Sequence, residues 1–208
     1  MFNPDFKRNG LSAHGACLRC RMYLPLCICS LLPNLNLRTR VVVFMHRKEY
    51  VYMTNTGALL TKALVNSDLV FRGHEGRTVV APERILVTDS NPYILFPSDD
   101  AQLLDEELAA RLPRPLTLIV PDGHWGQARK IVTREPSLAG LPRIKLPPGA
   151  PSRYRLRRNP VPGRVCTYEA VCRTLGILEG PQVQAAMEVA FEAMVERILW
   201  GRGRLVAE

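Results

Sequence analysis

The chain has 208 residues, enough for one sizeable domain with its own core, and its 47% hydrophobic and 23% charged residues are ordinary for a soluble globular protein. No apolar run approaches the roughly 20 residues of a membrane span, and the N-terminus lacks the apolar core of a secretory signal. We therefore expect a cytoplasmic protein without a membrane partner. The 28 Lys and Arg against 19 Asp and Glu indicate a polyanionic partner, although a basic protein without a nucleic-acid role is the alternative.

The chain begins with residues 1–16, which we expect to be a flexible lead, and a dense cysteine cluster follows. The cluster comprises Cys17, Cys20, Cys27 and Cys29. Because a reducing cytosol disfavours disulfides, four thiols within one short loop predict a structural metal site, most simply Zn²⁺ with four soft ligands. Residues 17–36 are therefore the predicted zinc-binding segment. An iron–sulfur cluster and four free buried thiols are the alternatives, and the distant Cys166 and Cys172 are predicted to have no metal role.

The remaining chain, residues 37–208, alternates predicted strands with predicted helices. Continuous apolar runs predict strands buried on both faces at residues 41–45, 93–96 and 116–120. Shorter candidate strands are at residues 69–71, 85–88 and 143–146. Helical spacing of apolar residues predicts helices at 56–66, 99–112 with Ser98 as N-cap, 127–133, 167–178 and 181–200. This alternation predicts an α/β fold with a mainly parallel sheet and helices on both faces.

Polar residues follow the strongest predicted strand, where ligands gather in such folds. Asp122 stands directly after residues 116–120, Gly123 permits a sharp turn, and Trp125 offers a flat face to a base or an adenine. Taken alone, these residues also suit a simple turn followed by a core tryptophan.

Several segments stand together in an order that resembles the DTW-domain family from about Cys17 to Trp200. After the cysteines these segments are His46-x-x-Glu49, Thr54-Asn55-Thr56-Gly57, Leu95-Phe96-Pro97-Ser98-Asp99-Asp100-Ala101, Asp122-Gly123-His124-Trp125-x-Gln127-Ala128-Arg129-Lys130 and Thr167-Tyr168-Glu169-Ala170. The family usually carries Thr or Ser immediately before the tryptophan, and this chain has His124 there. His124 is therefore the departure whose role needs an explanation.

The resemblance implies a fold and an activity. Members of the family resemble the knotted SPOUT-like methyltransferases, so we expect a C-terminal trefoil knot that binds S-adenosylmethionine. The implied reaction moves the 3-amino-3-carboxypropyl group of this donor to N3 of a tRNA uridine and releases methylthioadenosine. A methyltransferase that uses the same knot and donor, a non-catalytic zinc-containing RNA-binding protein, and a substrate such as ribosomal RNA are the alternatives.

The matching positions supply the expected site residues. Asp122 is the expected catalytic residue, which receives the uridine N3 proton or orients the base by accepting a hydrogen bond from it. His46 and Glu49 are expected to line the pocket or to form a satisfied core pair. The expected donor-binding residues are Asn55, Thr56, Gly57, Pro97, Ser98, Trp125, Thr167 and Glu169. The alternative for Asn55, Thr56 and Gly57 is an ordinary helix cap, and the alternative for Thr167 is a plain N-cap.

An irregular segment at residues 146–165, rich in Pro and Arg and called the Arg-rich segment below, is the expected tRNA-binding loop. Seven Lys or Arg and no acid lie between Arg143 and Arg164. Arginine forks bind phosphates and a tyrosine stacks on an unpaired base, while a solvated charged loop is the alternative. The expected RNA-binding residues are Arg129, Arg153, Tyr154, Arg155, Arg157 and Arg158. No obligatory protein partner is evident.

Overall fold

A computed structural model of the chain describes residues 14–72, 89–157 and 161–203. The strands are β1 (Arg40–His46), β2 (Ser67–Arg72), β3 (Asn91–Leu95), β4 (Gln102–Leu103), β5 (Leu116–Asp122) and β6 (Arg143–Lys145). The helices are α1 (Gly57–Ala63), α2 (Glu106–Arg111), α3 (Trp125–Arg134), α4 (Thr167–Glu179) and α5 (Pro181–Gly201). The six strands form one sheet in the order β2-β1-β5-β3-β6-β4, and every pairing is parallel. The predicted α/β fold with a parallel sheet is confirmed.

Strands β1 and β5 have no exposed face because apolar clusters cover both sides of the sheet. All seven residues of β5 are buried. Val41 and Val43 of β1 belong to the larger cluster, which includes the apolar residues of α1, α4 and α5. Val42 and Phe44 point to the opposite side, into a smaller cluster with α3. Continuous apolar runs in β1 and β5 are thus the direct result of helices on both faces.

The predicted helix over residues 99–112 is wrong in its first half. Residues 98–101 form a turn in which the amide of Ala101 donates to the carbonyl of Ser98 (3.1 Å), so Ser98 is not a helix cap. The short strand β4 follows and pairs with β6. The helix begins only at Glu106, where the Asp105 side chain accepts from the amide of Leu108 at 2.8 Å. Backbone pairing with a neighbouring strand, which helical spacing cannot reveal, outweighs local propensity here.

The other predicted elements agree with the structure within a few residues. Helix α3 starts at Trp125, two residues earlier than predicted, and the described parts of the 146–165 segment (146–157 and 161–165) contain no helix or strand. The predicted strand 85–88, Arg158 and most of the predicted lead lie outside the described residues. Among the residues described, no helix has both the length and the apolar character needed to cross a bilayer.

The order of the strands creates a crevice between β1 and β5 at their carboxyl ends. From β1 the chain leaves through α1 toward the edge strand β2, whereas from β5 it leaves through α3 toward β6 on the other side. Neighbouring strands whose connections diverge in this way open a crevice in which α/β proteins bind ligands. Met45 and Asp122 are paired at this point.

Candidate active site

Asp122 is the last residue of β5 and lies in the crevice, with only 3% of its surface exposed. The side-chain amide of Asn55, just before α1, donates to the Asp122 carboxylate at 2.8 Å. The carboxylate also accepts a hydrogen bond from the hydroxyl of Thr167, the first residue of α4. Three distant segments that the family pattern singles out, around residues 55, 122 and 167, therefore meet at one carboxylate.

The environment of Asp122 suits a proton acceptor. Burial raises the pKa of Asp122 above its ordinary value, the hydrogen bonds from Thr167 and Asn55 oppose this, and the nearby charge of Glu49 raises the pKa further. An isolated aspartate is too weak a base for proton transfer near neutral pH, and this shift moves Asp122 toward that range.

Gly57 lets the start of α1 approach this carboxylate closely. A Cβ atom at position 57 would lie 2.5 Å from Cγ of Asp122 and 2.7 Å from each carboxylate oxygen. The side chain of Asn55, which also accepts from the amide of Ala58 at 2.8 Å, is held in the same turn. Gly57 therefore acts by leaving room for the Asp122 carboxylate.

Gly57→Ala should lower turnover at least about tenfold, because the added methyl group forces Asp122 away from Asn55 and Thr167. Overpacking of this kind also costs about 1–3 kcal/mol of folding stability. Steady-state kinetics and thermal unfolding measure the two effects. If the clash acts through Asp122, Gly57→Ala should cause almost no additional loss in an Asp122→Asn background. Equal losses in both backgrounds would contradict this interpretation.

His124 caps helix α3. Its Nδ1 atom accepts from the amide of Gln127 at 3.3 Å, while the Gln127 side chain accepts from the amide of His124 at 2.7 Å. This reciprocal capping box is normally made by a Ser or Thr at the first position. His124 thus caps the helix, a role to which the Thr or Ser usual at this position in the family is also suited. The replacement by histidine therefore leaves the turn between Asp122 and Trp125 intact.

His46 ends β1 and caps the short turn that contains Glu49. The Nδ1 atom of His46 accepts from the amide of Lys48 at 3.3 Å and starts the short helical turn Arg47–Glu49. Burial lowers the pKa of His46, with Glu49 opposing. The charge of Glu49 raises the pKa of Asp122, which indicates that this carboxylate lies near the site. His46 and Glu49 are therefore at the edge of the site.

An aromatic pair lies at the ends of β3 and β5. The rings of Phe96 and Trp125 are 6.1 Å apart at an angle of 49°, and Pro97 and Ser98 follow Phe96 in the turn after β3. The guanidinium of Arg164 lies 4.6 Å above the Trp125 ring. Arg164 was not among the expected site residues, although it belongs to the Arg-rich segment. It places a cation directly on the expected donor-binding tryptophan.

Glu169 connects helix α4 to the irregular segment. One of its carboxylate oxygens accepts from the amide of Arg153 at 2.6 Å, and the other accepts from the hydroxyl of Ser152 at 2.5 Å and the amide of Cys166 at 3.0 Å. These contacts hold the Arg-rich segment against the start of α4, beside Thr167. Donor binding by Glu169 remains a prediction.

The expected RNA-binding arginines have different surroundings. Arg153 forms ion pairs with Glu188 (2.6 Å) and Glu192 of α5, and Arg155 approaches Glu196 at 3.9 Å. These acids recur every four residues and form a stripe along α5. Two of the expected phosphate-binding cations are therefore partly neutralised within the protein.

The middle of the Arg-rich segment is anchored by Tyr154. Its hydroxyl donates to the carbonyl of Thr54 at 2.8 Å, and its ring stacks 6.3 Å from Phe191. This packing leaves less of the ring available to a base than the sequence suggested. Arg157 lies 5.9 Å from the Tyr154 ring, and Arg129 is exposed on α3. Their roles in RNA binding remain predictions.

The four clustered cysteines form a compact sulfur site. Their Sγ atoms all lie within 4.8 Å of one another, with 3.5 Å between Cys17 and Cys29 and 3.7 Å between Cys20 and Cys27. Four sulfurs at about 2.3 Å from one tetrahedral ion are roughly 3.8 Å apart. In an iron–sulfur cluster the thiolates bind different irons and stand further apart. The spacing therefore favours a single tetrahedral ion such as zinc.

The surroundings of the cysteines also suit a metal. Burial raises the pKa of Cys17, but hydrogen bonds from the backbone of Cys20 and Arg19 and from the thiols of Cys29 and Cys27 outweigh burial and lower this pKa to about 6. Burial and the neighbouring thiols raise the pKa of Cys20 and Cys29, so these two need the metal ion to lose their protons. The Arg197 guanidinium of α5 donates to the carbonyl of Cys27. This cation, which the sequence did not point to, lies where it offsets the negative charge of four thiolates.

The fold and the site together define the class of protein: an α/β protein with a buried carboxylate in the crevice between β1 and β5. A separate segment with four clustered thiols precedes the sheet. Comparison with known proteins is consistent with both, since residues 14–199 match the DTW domain. The chain belongs to the DTW-domain family.

Three relatives show how far the similarity extends. A Drosophila melanogaster protein named tRNA-uridine aminocarboxypropyltransferase 2 is 28% identical over 85% of this chain and 69% of its own length. A Mus musculus protein of the same name is 30% identical over 78% of the chain and 56% of its own length. An Arabidopsis thaliana protein named tRNA-uridine aminocarboxypropyltransferase A is 28% identical over 86% and 79%. The chain thus spans little more than half of the mouse relative, and no solved structure matches it.

Proposed function

We propose that this chain is a tRNA-uridine aminocarboxypropyltransferase that uses S-adenosylmethionine as donor and modifies N3 of a uridine. The observation that carries the proposal is the buried carboxylate of Asp122, held by Asn55 and Thr167 at the crevice between β1 and β5. The names of the similar proteins support the substrate and the transferred group. A purely RNA-binding protein has no need of a buried, unneutralised carboxylate at this position.

The reaction forms a bond between uridine N3 and the donor carbon next to the sulfonium, and it breaks the bond from that carbon to sulfur. The electron pair of the broken bond stays on sulfur, which leaves as the neutral thioether of methylthioadenosine. The N3 proton goes to Asp122 and from there to solvent. Such a positioned base contributes about 10²–10⁴ to the rate.

The donor is assigned to the residues around this carboxylate. Gly57 and Thr167 adjoin the Asp122 carboxylate, and Thr56 precedes Gly57 in the chain. Trp125 follows β5, and Pro97 and Ser98 follow β3, the strand that pairs with β5, so we assign these three to the donor as well. We further propose the trefoil knot that the family resemblance implies. The long segment between β6 and α4, attached to the start of α4 through Glu169, supports this assignment.

We also propose that the Cys17, Cys20, Cys27 and Cys29 thiolates hold one structural Zn²⁺. With all four positions supplied by protein, such an ion has no open position for substrate. All six cysteines lie within the described residues and none forms a disulfide. Thiols of this kind suit the reducing cytoplasm, which is the compartment we assign.

The test is a labelling experiment with two forms of the donor. Purified protein is incubated with unmodified tRNA, and in a parallel reaction with ribosomal RNA, together with S-adenosylmethionine labelled either in the carboxyl carbon or in the methyl group. The nucleosides are then analysed by mass spectrometry. Carboxyl label should enter a modified uridine, the methyl label should appear only in methylthioadenosine, and ribosomal RNA should remain unlabelled. Methyl label in the RNA would support a methyltransferase instead. No label in any RNA would support a binding protein.

A further inference from the structure

A second basic surface, separate from the Arg-rich segment, lies next to the turn at residues 54–55. We call it the knuckle face, and it comprises Arg19, Arg21, Tyr50, Tyr52 and Lys62. Arg19 and Arg21 belong to the cysteine segment, the two tyrosines follow the Arg47–Glu49 turn, and Lys62 is on α1. An open cleft runs between these parts.

The cleft leads to the candidate active site. Asn55 is one of its lining residues, and the side-chain amide of Asn55 donates to Asp122 at 2.8 Å. The carbonyl of Thr54, one residue earlier, accepts from Tyr154 of the Arg-rich segment. The knuckle face and the Arg-rich segment therefore flank the same short turn beside the reactive carboxylate.

The lining of the cleft combines cations and tyrosines with apolar side chains of the neighbouring core. Of its described lining residues, three are Lys or Arg and none is Asp or Glu. Arg19 donates to the carbonyl of Lys62 at 3.2 Å, which links the cysteine segment to α1. Tyr52 is 56% exposed beside these cations. Proteins commonly bind an unpaired nucleic-acid strand with cations that contact its phosphates and exposed aromatic rings that stack on its bases.

The backbone conformation of Arg21 is a separate indication that its side chain has a function. Arg21 has φ 66°, a left-handed conformation that costs energy for an arginine and almost none for a glycine. The turn is closed by a hydrogen bond from the amide of Arg21 to the carbonyl of Cys17 at 2.8 Å. The guanidinium lies 3.9 Å above the Tyr50 ring at the cleft. The turn would form more easily with glycine, yet the chain carries a cation there.

We propose that the knuckle face is a second RNA-binding surface, which holds the unpaired strand of tRNA next to the target uridine. Arg19, Arg21 and Lys62 contact phosphates, and Tyr52 stacks on a base. The proposal rests on the proposed function, since it takes RNA as the substrate. The cysteine segment then has two roles: it stabilises the domain and carries two of the phosphate-binding side chains.

The test compares Arg19→Ala/Arg21→Gly with Arg111→Ala in tRNA-binding titrations at several salt concentrations. Glycine suits the backbone at position 21, so the fold should be retained. The double variant should bind tRNA at least about fivefold more weakly, and the slope of log affinity against log salt should fall by roughly two. Arg111 is on α2, which follows the opposite edge strand β4, so its variant should change neither quantity appreciably. KM for the donor and the zinc content should be unchanged.

Two further variants cover the remaining outcomes. Tyr52→Ala should weaken binding without changing the salt slope, and Tyr52→Phe should restore it because stacking needs only the ring. If the double variant loses zinc, weaker tRNA binding could result from the lost metal alone. Lys62→Ala then tests the proposal, because Lys62 is on α1, outside the cysteine segment, and its removal should weaken tRNA binding without loss of zinc. Zinc-loaded variants that match Arg111→Ala in affinity and slope would overturn the proposal. That result would leave the proposed function intact, whereas a wild-type protein that labels no tRNA would refute the function itself.

Discussion

Asp122→Asn should lower turnover at least about a hundredfold while leaving the affinity for donor and tRNA nearly unchanged. Asparagine keeps the size of the side chain and one acceptor oxygen, but it cannot take a proton at neutral pH. A residue that acts on the transition state changes turnover more than substrate binding. Steady-state kinetics with separate binding titrations measure both quantities. Near-normal turnover would remove Asp122 from the mechanism.

The same variant should be at least as stable as the wild type. Because burial raises the pKa of Asp122, the folded protein binds this proton more tightly than the unfolded chain. The contribution of Asp122 to stability is therefore fully present below the ordinary aspartate pKa, near 3.9, and is lost as pH rises through the raised folded pKa. At pH 7 the buried charge is a net cost that the neutral amide of the Asp122→Asn variant avoids, so the free energy of unfolding should rise by up to about 1 kcal/mol.

The pH dependence of catalysis follows from the same shift. Wild-type kcat/KM should fall on the acid side as Asp122 becomes protonated, with an apparent pKa above that of an ordinary aspartate. The matched control is His124→Thr, which keeps a helix cap at the start of α3. This variant should retain substantial activity and the same acid limb. Loss of the acid limb in His124→Thr would contradict its assignment to Asp122.

Cys20→Ser should remove most of the bound zinc and lower the unfolding temperature by about 6–12 °C. Cys20 is the buried member of the cluster, 3.7 Å from the sulfur of Cys27. Loss of one thiolate leaves the metal with three of its four protein ligands. Because the unfolded chain has no preformed metal site, the binding free energy of a structural zinc contributes to the stability of the fold. A loss of about 3 kcal/mol corresponds to this shift for a chain of about 200 residues. Elemental analysis and thermal unfolding provide the two measurements.

Cys172→Ala is the control for this experiment. Cys172 is buried in α4, away from the cluster, so its removal should leave about one zinc per chain. Wild-type protein treated with a strong chelator should unfold at the same lowered temperature as Cys20→Ser. A metal-free wild type that unfolds at the original temperature would contradict the structural role of the metal.

Local sequence was sufficient where one physical requirement dominated. The apolar runs at β1 and β5 predicted buried parallel strands, because only a strand covered on both faces needs apolar residues at every position. Helices α4 and α5 were predicted within one residue at each end, since their caps and apolar spacing are local properties. The 99–112 helix was wrong because residues 102–103 pair with β6, a contact that their own spacing does not encode.

By itself, the sequence determined the α/β class and the tetrathiol segment and singled out Asp122 as the candidate catalytic residue, since these depend on periodicity, on spacing and on motifs in a fixed order. Tertiary structure decided how the pieces act on one another. It brought Asn55, Gly57 and Thr167 to one carboxylate, gave His124 the helix cap, and placed Arg164 above Trp125. It also paired Arg153 and Arg155 with acids of α5, so that a count of positive charges overstated what the Arg-rich segment offers to RNA. Most of these contacts join residues that stand far apart in the chain, and only the folded sheet determines which of them meet.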